Sequence, residues 1–440
     1  MSRALFGLTA ILSVLPVALR AEVPSPLELP ATVTLEYALQ TFRSRGLDLL
    51  LAEASVAGGE ADLRAAKAIL NPQVNVSRGS SRNYDPTLCP VPSQCSDVSW
   101  SGGLSDQGAI FDLLTGKHHL RVDVATKALL AAKLGRADAE RTLVFALKQQ
   151  YLAALLAKAS LAFAGESRET SAETLRLVGL RYKAGAVSEA DVARAEALKL
   201  EADQAVDQAT QELREAKVDL AFMLGARALV PDFDLGDEFQ KALVPPKLEA
   251  ANEGSLVELG LRERPDLKAL GAQKARAQAG LALAKRERIP DLPLSVQYSE
   301  EGTGQNAIQP PTTTFGVSLT VPLFYQYQGE VAKAGVDVKT QELQEAKVQA
   351  QVVSDVSKGF AAYLSARSQA ERMDGSLLGS ARRARDLVRI QYEKGAASLL
   401  ELLDAQRTLI ATNVERIQGL QNYWTAVFAL EEAVGADLRP

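Results

Sequence analysis

Over most of this chain, apolar positions recur every three or four residues, and that spacing predicts helices of unusual length. In the last of them Leu403, Ile410, Ile417 and Trp424 return every seven residues, with Val414, Leu420, Val427 and Phe428 alongside. No proline falls between Ser93 and Val230, or between Leu323 and Arg439, although the chain has 18. Proline breaks helix interiors, so both spans can hold rods. Helices over about 113–183 and 330–393 would each be roughly 95 to 105 Å long at ~1.5 Å per residue. A compact domain is roughly 30 to 50 Å across. Such rods must therefore lie against partner helices, from this chain or from symmetry mates.

Four shorter stretches change to a period of two, the mark of a strand with one apolar face. Val74 and Val76 alternate with Asn75 and Ser77, and Val98, Trp100, Gly102 and Leu104 alternate with Ser99, Ser101 and Gly103. Leu294, Val296 and Tyr298 alternate with Ser295, Gln297 and Ser299, and Phe315, Val317, Leu319 and Val321 with Gly316, Ser318 and Thr320. Strands are expected over about 73–82, 98–106, 292–300 and 313–322. A helix from about Thr34 to Leu70, capped by Thr34, leads into the first pair. Another, opening at Arg264-Pro265-Asp266-Leu267 and ending at Ile289-Pro290, leads into the second. An apolar face opposite a Ser, Gln and Thr face fits a sector of a lipid-facing barrel; a small half-buried sheet beside a helical bundle fits the alternation as well. Membrane barrels need at least ~8 strands and no open edge, so four cannot close alone. A trimer sharing twelve strands is the smallest cyclic solution with a roomy lumen, and a dimer of eight satisfies the count too.

The chain also repeats itself. Tyr392 to Arg407, YEKGAASLLELLDAQR, echoes Tyr182 to Ala197, YKAGAVSEADVARAEA, at a gapless offset of 210 residues. Gly165 meets Gly375, Leu177-Val178 meets Leu387-Val388, and Leu224-Gly225-Ala226 meets Val434-Gly435-Ala436. Each copy predicts a helix, a tight turn and a second helix. The glycine ends the first helix in a left-handed residue, and the serine three positions on caps the second. The expected fold is mainly α with a small membrane β-barrel portion, built from two internal repeats of a helix, two strands and a long helical hairpin. Residues 22–230 form the first repeat with its hairpin tip at about 184–188, 231–253 a polar linker, and 254–440 the second repeat with its tip at about 394–398. Residues 1–21, MSRALFGLTAILSVLPVALRA, are expected to be a secretory signal, with a short membrane anchor as the alternative reading.

Composition sharpens this picture. The chain is 47% hydrophobic and 23% charged but only 5% aromatic, and much of the apolar share is alanine, which suits closely packed coiled helices more than a globular core. A net charge of −5 argues against nucleic acid as a partner. No nucleotide or hydrolase motif occurs, so neither catalysis nor a cofactor is expected. His118 and His119 are adjacent and point about 100° apart on a helix, which makes a shared metal ion unfavourable. Cys89 and Cys95 flank PVPSQ between the first two strands. In an exported chain a disulfide is the expected state of such a pair.

Taken together, these residues resemble the TolC family of bacterial outer-membrane efflux and secretion channels. The resemblance spans the mature chain. It rests on the duplicated order of elements, the RPDL segment at Arg264, the joints LNPQVNV at Leu70, RIPDLPLSV at Arg288 and VPLF at Val321, and the two YxxG turns. It implies a homotrimer whose twelve-stranded barrel crosses the cell outer membrane, in contact with its lipid, and continues into a periplasmic α-helical barrel. It also implies an exit duct for a tripartite efflux or type I secretion system, fed by a periplasmic adaptor and an inner-membrane transporter. The tips Ala184, Gly185, Ala186 and Lys394, Gly395, Ala396 would meet the adaptor. Glu401 and Asp404 would form an acidic ring at the periplasmic entrance. Tyr392 and Asp191 would latch that entrance shut, although the basic residue some relatives carry after the turn is here Ala397. The competing class is a periplasmic or surface structural coiled-coil or adhesive protein, which would lack the paired strands.

Overall fold

The structure is a computed structural model, and it describes residues 29–82, 96–236, 239, 241–249, 251–301, 309–373 and 377–438. The proposed signal, Cys89 and Cys95 lie outside the described residues. The first half runs β1 (Thr32–Val33), α1 (Leu35–Arg45), α2 (Leu47–Lys67), β2 (Gln73–Arg82), β3 (Ser96–Ser105), α3 (Ala109–Thr115), α4 (Lys117–Lys183) and α5 (Glu189–Met223). A strap follows with β4 (Asp234–Leu235) and α6 (Pro246–Glu249). The second half runs α7 (Glu253–Glu263), α8 (Pro265–Arg286), β5 (Leu294–Glu301), β6 (Gln309–Val317), α9 (Gln328–Arg372), α10 (Leu378–Glu393) and α11 (Leu399–Val434). Two helices, two strands and a helical hairpin thus occur twice.

Several boundaries differ from the sequence expectation: the rod expected from about 113 opens only after Gly116, at φ 75°, and three further differences stand out. The helix expected over 34–70 opens with the Thr34 hydroxyl accepting from the Tyr37 amide at 3.2 Å, but it breaks at Gly46. There the Phe42 ring packs so closely that a Cβ on Gly46 would lie 2.6 Å from it. Beyond Gly46 the chain continues as α2. The rod expected over 330–393 is two helices, α9 ending at Arg372 and α10 opening at Leu378. Met373 and Leu377 keep helical backbone angles on either side of 374–376, which lie outside the described residues. Strand β6 begins at Gln309 and ends at Val317, so Leu319 and Val321 lie beyond it. Its partner sets that limit. Leu294 pairs with Val317, the Ser318 amide donates to the Pro293 carbonyl at 3.2 Å, and Pro293 has no N–H to continue the ladder. Pro310 and Pro311 are tolerated because β6 is an edge strand.

The three prominent cores are strung along the helices rather than gathered at one centre. One lies where α4 meets α1, the end of α5 and β4, and includes Phe42, Leu147, Tyr151 and Leu220. A second joins α9 and α11 through Val352, Tyr363, Tyr423, Trp424 and Phe428. The strap links these two: Phe239, held at φ 65°, stands edge-on to Trp424, Phe428 and Tyr151 and packs against both. The third, smaller core sits at the hairpin tips around Val178, Leu198, Tyr392 and Leu402.

Buried charge fixes the helices relative to one another, across the two halves and within the second. Lys148 of α4 donates to Glu431 of α11 at 2.6 Å, with both side chains almost wholly enclosed. Arg264, between α7 and α8, donates to Asp266 at 2.6 Å and to Asp355 of α9 at 3.0 Å. It also reaches the Ala433 carbonyl at 3.3 Å. Gly435 at φ 73° lies against this arginine, where a Cβ would stand 3.2 Å from the Arg264 backbone. Gly225 at φ 90° lies against the Arg45 carbonyl in the same way in the first half. At the base of the sheet, Lys117 is buried and donates to Asp291 at 2.7 Å, tying α4 to the segment that enters β5.

Lys148→Ala leaves the buried Glu431 carboxylate with the Leu438 amide but without its cation and should cost about 3–5 kcal/mol. Replacing both residues with methionine and leucine should recover most of that, read by thermal denaturation in detergent. Equal losses in the single and double variants would show that the pair matters through packing rather than charge.

Candidate functional site

Two features of the molecule bear on function: a two-faced sheet at one end and a pair of hairpin tips at the other. The sheet has the order β2–β3–β5–β6, antiparallel throughout. Its register aligns side chains of one kind across the strands. Val74, Leu104, Val296 and Phe315 form one row, and Val76, Gly102, Tyr298 and Thr313 form the next on the same face. The large apolar members are exposed, Phe315 at 79% and Val76 at 74%. A face this apolar with nothing over it belongs in lipid or against another protein. One pleat further, Arg78, Trp100 and Glu300 close the band. The Arg78 guanidinium lies 5.2 Å from the Trp100 ring, and the Tyr298 hydroxyl donates to Glu300 at 3.1 Å. Aromatic side chains with polar neighbours mark the water boundary of membrane barrels.

The opposite face is polar and small. Asn75, Gly103, Gln297 and Thr314 form one row and Ser77, Ser101, Ser299 and Thr312 another, with no charge in either. Among the described residues, no helix is long and apolar enough to cross a membrane.

At the far end, α4 and α10 stop in the same way. The Ala186 amide donates to the Arg181 carbonyl and the Gly185 amide to that of Tyr182, each at 2.9 Å. Ala396 and Gly395 repeat these bonds to Gln391 and Tyr392. Gly185 and Gly395 adopt φ 68° and 80°, the left-handed residue such a stop requires. Ala184, Gly185, Ala186, Lys394, Gly395 and Ala396 are all exposed, so the first tip presents small side chains and open backbone and the second does so beside Lys394 and Arg181.

The next helices open on matched capping boxes. Ser188 and Asp191 cap each other, as do Ser398 and Glu401. Hydrogen bonds from the Ser188 hydroxyl and amide, with the Arg194 guanidinium, hold the Asp191 carboxyl below its ordinary range. The amide and then the hydroxyl of Ser398 do the same for Glu401. Glu401 and Asp404 are exposed on one side of α11, as the spacing predicts, but Glu401 is first of all a helix cap.

The structure does not bring Tyr392 and Asp191 together. Tyr392 is only 1% exposed, with its hydroxyl enclosed and unbonded among the described residues, while Asp191 is turned toward Ser188 and Arg194. The link between the two tips is made by Arg181. Its guanidinium lies 4.5 Å from the Tyr392 ring and donates to the Tyr392 carbonyl at 2.9 Å. Sequence reasoning missed this residue, since an arginine in the last turn of a helix already has a reason to be there in the helix dipole.

Comparison with known proteins agrees with this geometry. A family model for outer membrane efflux proteins matches residues 38–226 and 256–436. The pyoverdine export outer membrane protein OpmQ of Pseudomonas aeruginosa is 27% identical over 399 residues, covering 87% of this chain and 81% of that protein. The cobalt-zinc-cadmium resistance protein CzcC of Cupriavidus metallidurans is 22% identical, over 93% of this chain and 92% of its own. The crystal structure of CusC superposes with a TM-score of 0.75 at 19% identity, covering 94% of this chain and 97% of that one.

Arg181→Ala should loosen the second tip by about 1–3 kcal/mol, the worth of a charged hydrogen bond with a cation–π contact. Trypsin should then cut after Lys394 faster. Tyr392→Phe keeps both the ring and the carbonyl and should leave the cleavage rate unchanged.

Proposed function

The chain belongs to the outer membrane efflux protein family, and from that premise we propose how it works. It is an outer-membrane efflux channel, the exit duct of a tripartite system, with its helical part in the periplasm. Three copies share one barrel of twelve strands, above a barrel of helices. The observation that carries this reading is the sheet itself. It is apolar on one face, polar on the other, and has β2 and β6 as open edges. Open edges cannot sit in hydrocarbon, so β6 of one copy must meet β2 of the next, and the strand directions make that pairing antiparallel.

The two halves, 22–230 and 254–440, stand side by side under the barrel, joined through 231–253. The tips at Gly185 and Gly395 dock a periplasmic adaptor that hands over cargo from an inner-membrane transporter. Their support is the bare, exposed backbone of both turns. OpmQ is named for pyoverdine and CzcC for resistance to cobalt, zinc and cadmium, so relatives differ widely in cargo. Two rows of the polar face carry only Ser, Thr, Asn, Gln and Gly, while Asp97 and Glu301 take positions on the same face further along the strands.

In detergent the protein should run as a trimer and conduct ions in planar bilayers; a stable monomer that conducts nothing would overturn the reading. Glu401 and Asp404 of three copies would place six carboxylates at the narrow end. Replacing both with alanine should lower cation selectivity and weaken block by multivalent cations from the periplasmic side. Acid should act in the same direction. The capped Glu401 carboxylate, with its pKa lowered, keeps its charge and its cap above the ordinary carboxylate range. In the single chain both are lost as the pH falls through that lowered value, and crowding of six carboxylates in the trimer opposes the lowering, so cation preference should fade as the pH falls through the carboxylate range.

A further inference from the structure

We propose that α10 of one copy packs antiparallel against α5 of the next, in a fixed register set by the level of the two tips. This inference rests on the trimeric reading above and goes beyond it by naming the surfaces that meet. Every tier of the chain has the same lateral order. In the sheet it is β2–β3–β5–β6, in the upper helices α2–α4–α8–α9, and towards the tips α5–α4–α11–α10. First-half elements therefore occupy one edge throughout, and second-half elements the other. A rotation that joins β6 to the next β2 brings α10 to the next α5.

The two edges match in chemistry. On α10 the face turned away from the buried Ala381 and Tyr392 carries Arg383, Leu387, Ile390 and Lys394, at spacings of four, three and four residues. On α5 the face turned away from the buried Ala195 and Leu198 carries Glu189, Ala193, Glu196 and Leu200, at the same spacings. Leu387, Ile390 and Leu200 are 61%, 43% and 59% exposed, costly for single helices in water and ordinary for a helix interface. Among the described residues, Arg383, Lys394, Glu189 and Glu196 have no ion pair within the chain. The helices as wholes differ in the same sense. α5 carries nine acidic and four basic side chains, and α10 four arginines against Asp386 and Glu393.

The register follows from Arg181. Its bond to the Tyr392 carbonyl holds the two tips of one chain level, and rotation about an axis along the helices keeps every tip at that height. Counting back from the turns at ~1.5 Å per residue puts Lys394 beside Glu189 and Ile390 beside Ala193. Leu387 and Leu200 follow along the stripe, with the Arg383 side chain within reach of Glu196. Opposite charges thus flank a narrow apolar line, the arrangement that sets partner and orientation in helical coils.

The test is a cross-link in the full chain. With Cys89 and Cys95 replaced by serine, Ala193→Cys and Ile390→Cys together should give covalent dimers and trimers on mild oxidation, and neither alone should. Arg383→Glu should cost the trimer its resistance to dissociation at low salt, and adding Glu196→Arg should restore it. A trimer by size that forms no cross-link and ignores the charge swap would overturn this register while leaving the trimer intact. A protein that is monomeric before any substitution would overturn the trimer as well.

Discussion

A helix of 67 residues is the constraint on which the rest of this molecule depends. At ~1.5 Å per residue α4 extends about 100 Å, far more than any core of this size can enclose. It must find partners along its whole length, and it does so in sequence: α2 and α8 near the sheet, α1 and β4 at mid-height, α5 and α11 toward the tips. The cores are accordingly strung along this helix. The outer sides of α2, α5, α9 and α10 stay open in the single chain, so the molecule is built as a sector rather than as a globule.

The sheet poses the same problem in another form. Its apolar rows face outward uncovered, its polar rows face the other way, and both end strands have unpaired edges. Any one of these is tolerable in water. All three at once describe a segment of wall between lipid and an aqueous passage. The prolines of β6 lie on an edge where missing donors cost least, and they confine further pairing to the rest of the strand.

Polar contacts fasten the two halves at defined heights. Lys117 with Asp291 does so under the sheet, Lys148 with Glu431 at mid-height, and Arg181 with the Tyr392 carbonyl at the tips, while Arg264 with Asp355 ties helices within the second half. Buried ion pairs add little net stability, but they penalise every register except one. In a wall of long, alanine-rich helices that can slide on one another, that selectivity is their main effect. The strap adds an apolar fastening, with Phe239 wedged between a core of the first half and a core that α4 shares with α9 and α11.

Whatever depends on neighbours along the chain is legible in the letters. Period-two alternation located the strands, absence of proline licensed the rods, and Gly185, Ser188, Gly395 and Ser398 dictated both turns and both caps. These are local effects of backbone freedom, hydrogen bonding and side-chain spacing, so the letters carry them. Where distant partners impose the outcome, the folded chain had to be seen. Strand β6 ends where Pro293 leaves no further donor, α1 breaks where Phe42 closes over Gly46, and Arg264 gains its purpose from Asp355, 91 residues away. The tip contact is the clearest case. Tyr392 is in the predicted place, but burial takes its hydroxyl out of use and gives its ring and carbonyl to Arg181, 211 residues away, because packing between distant helices decides which atom of a side chain remains available.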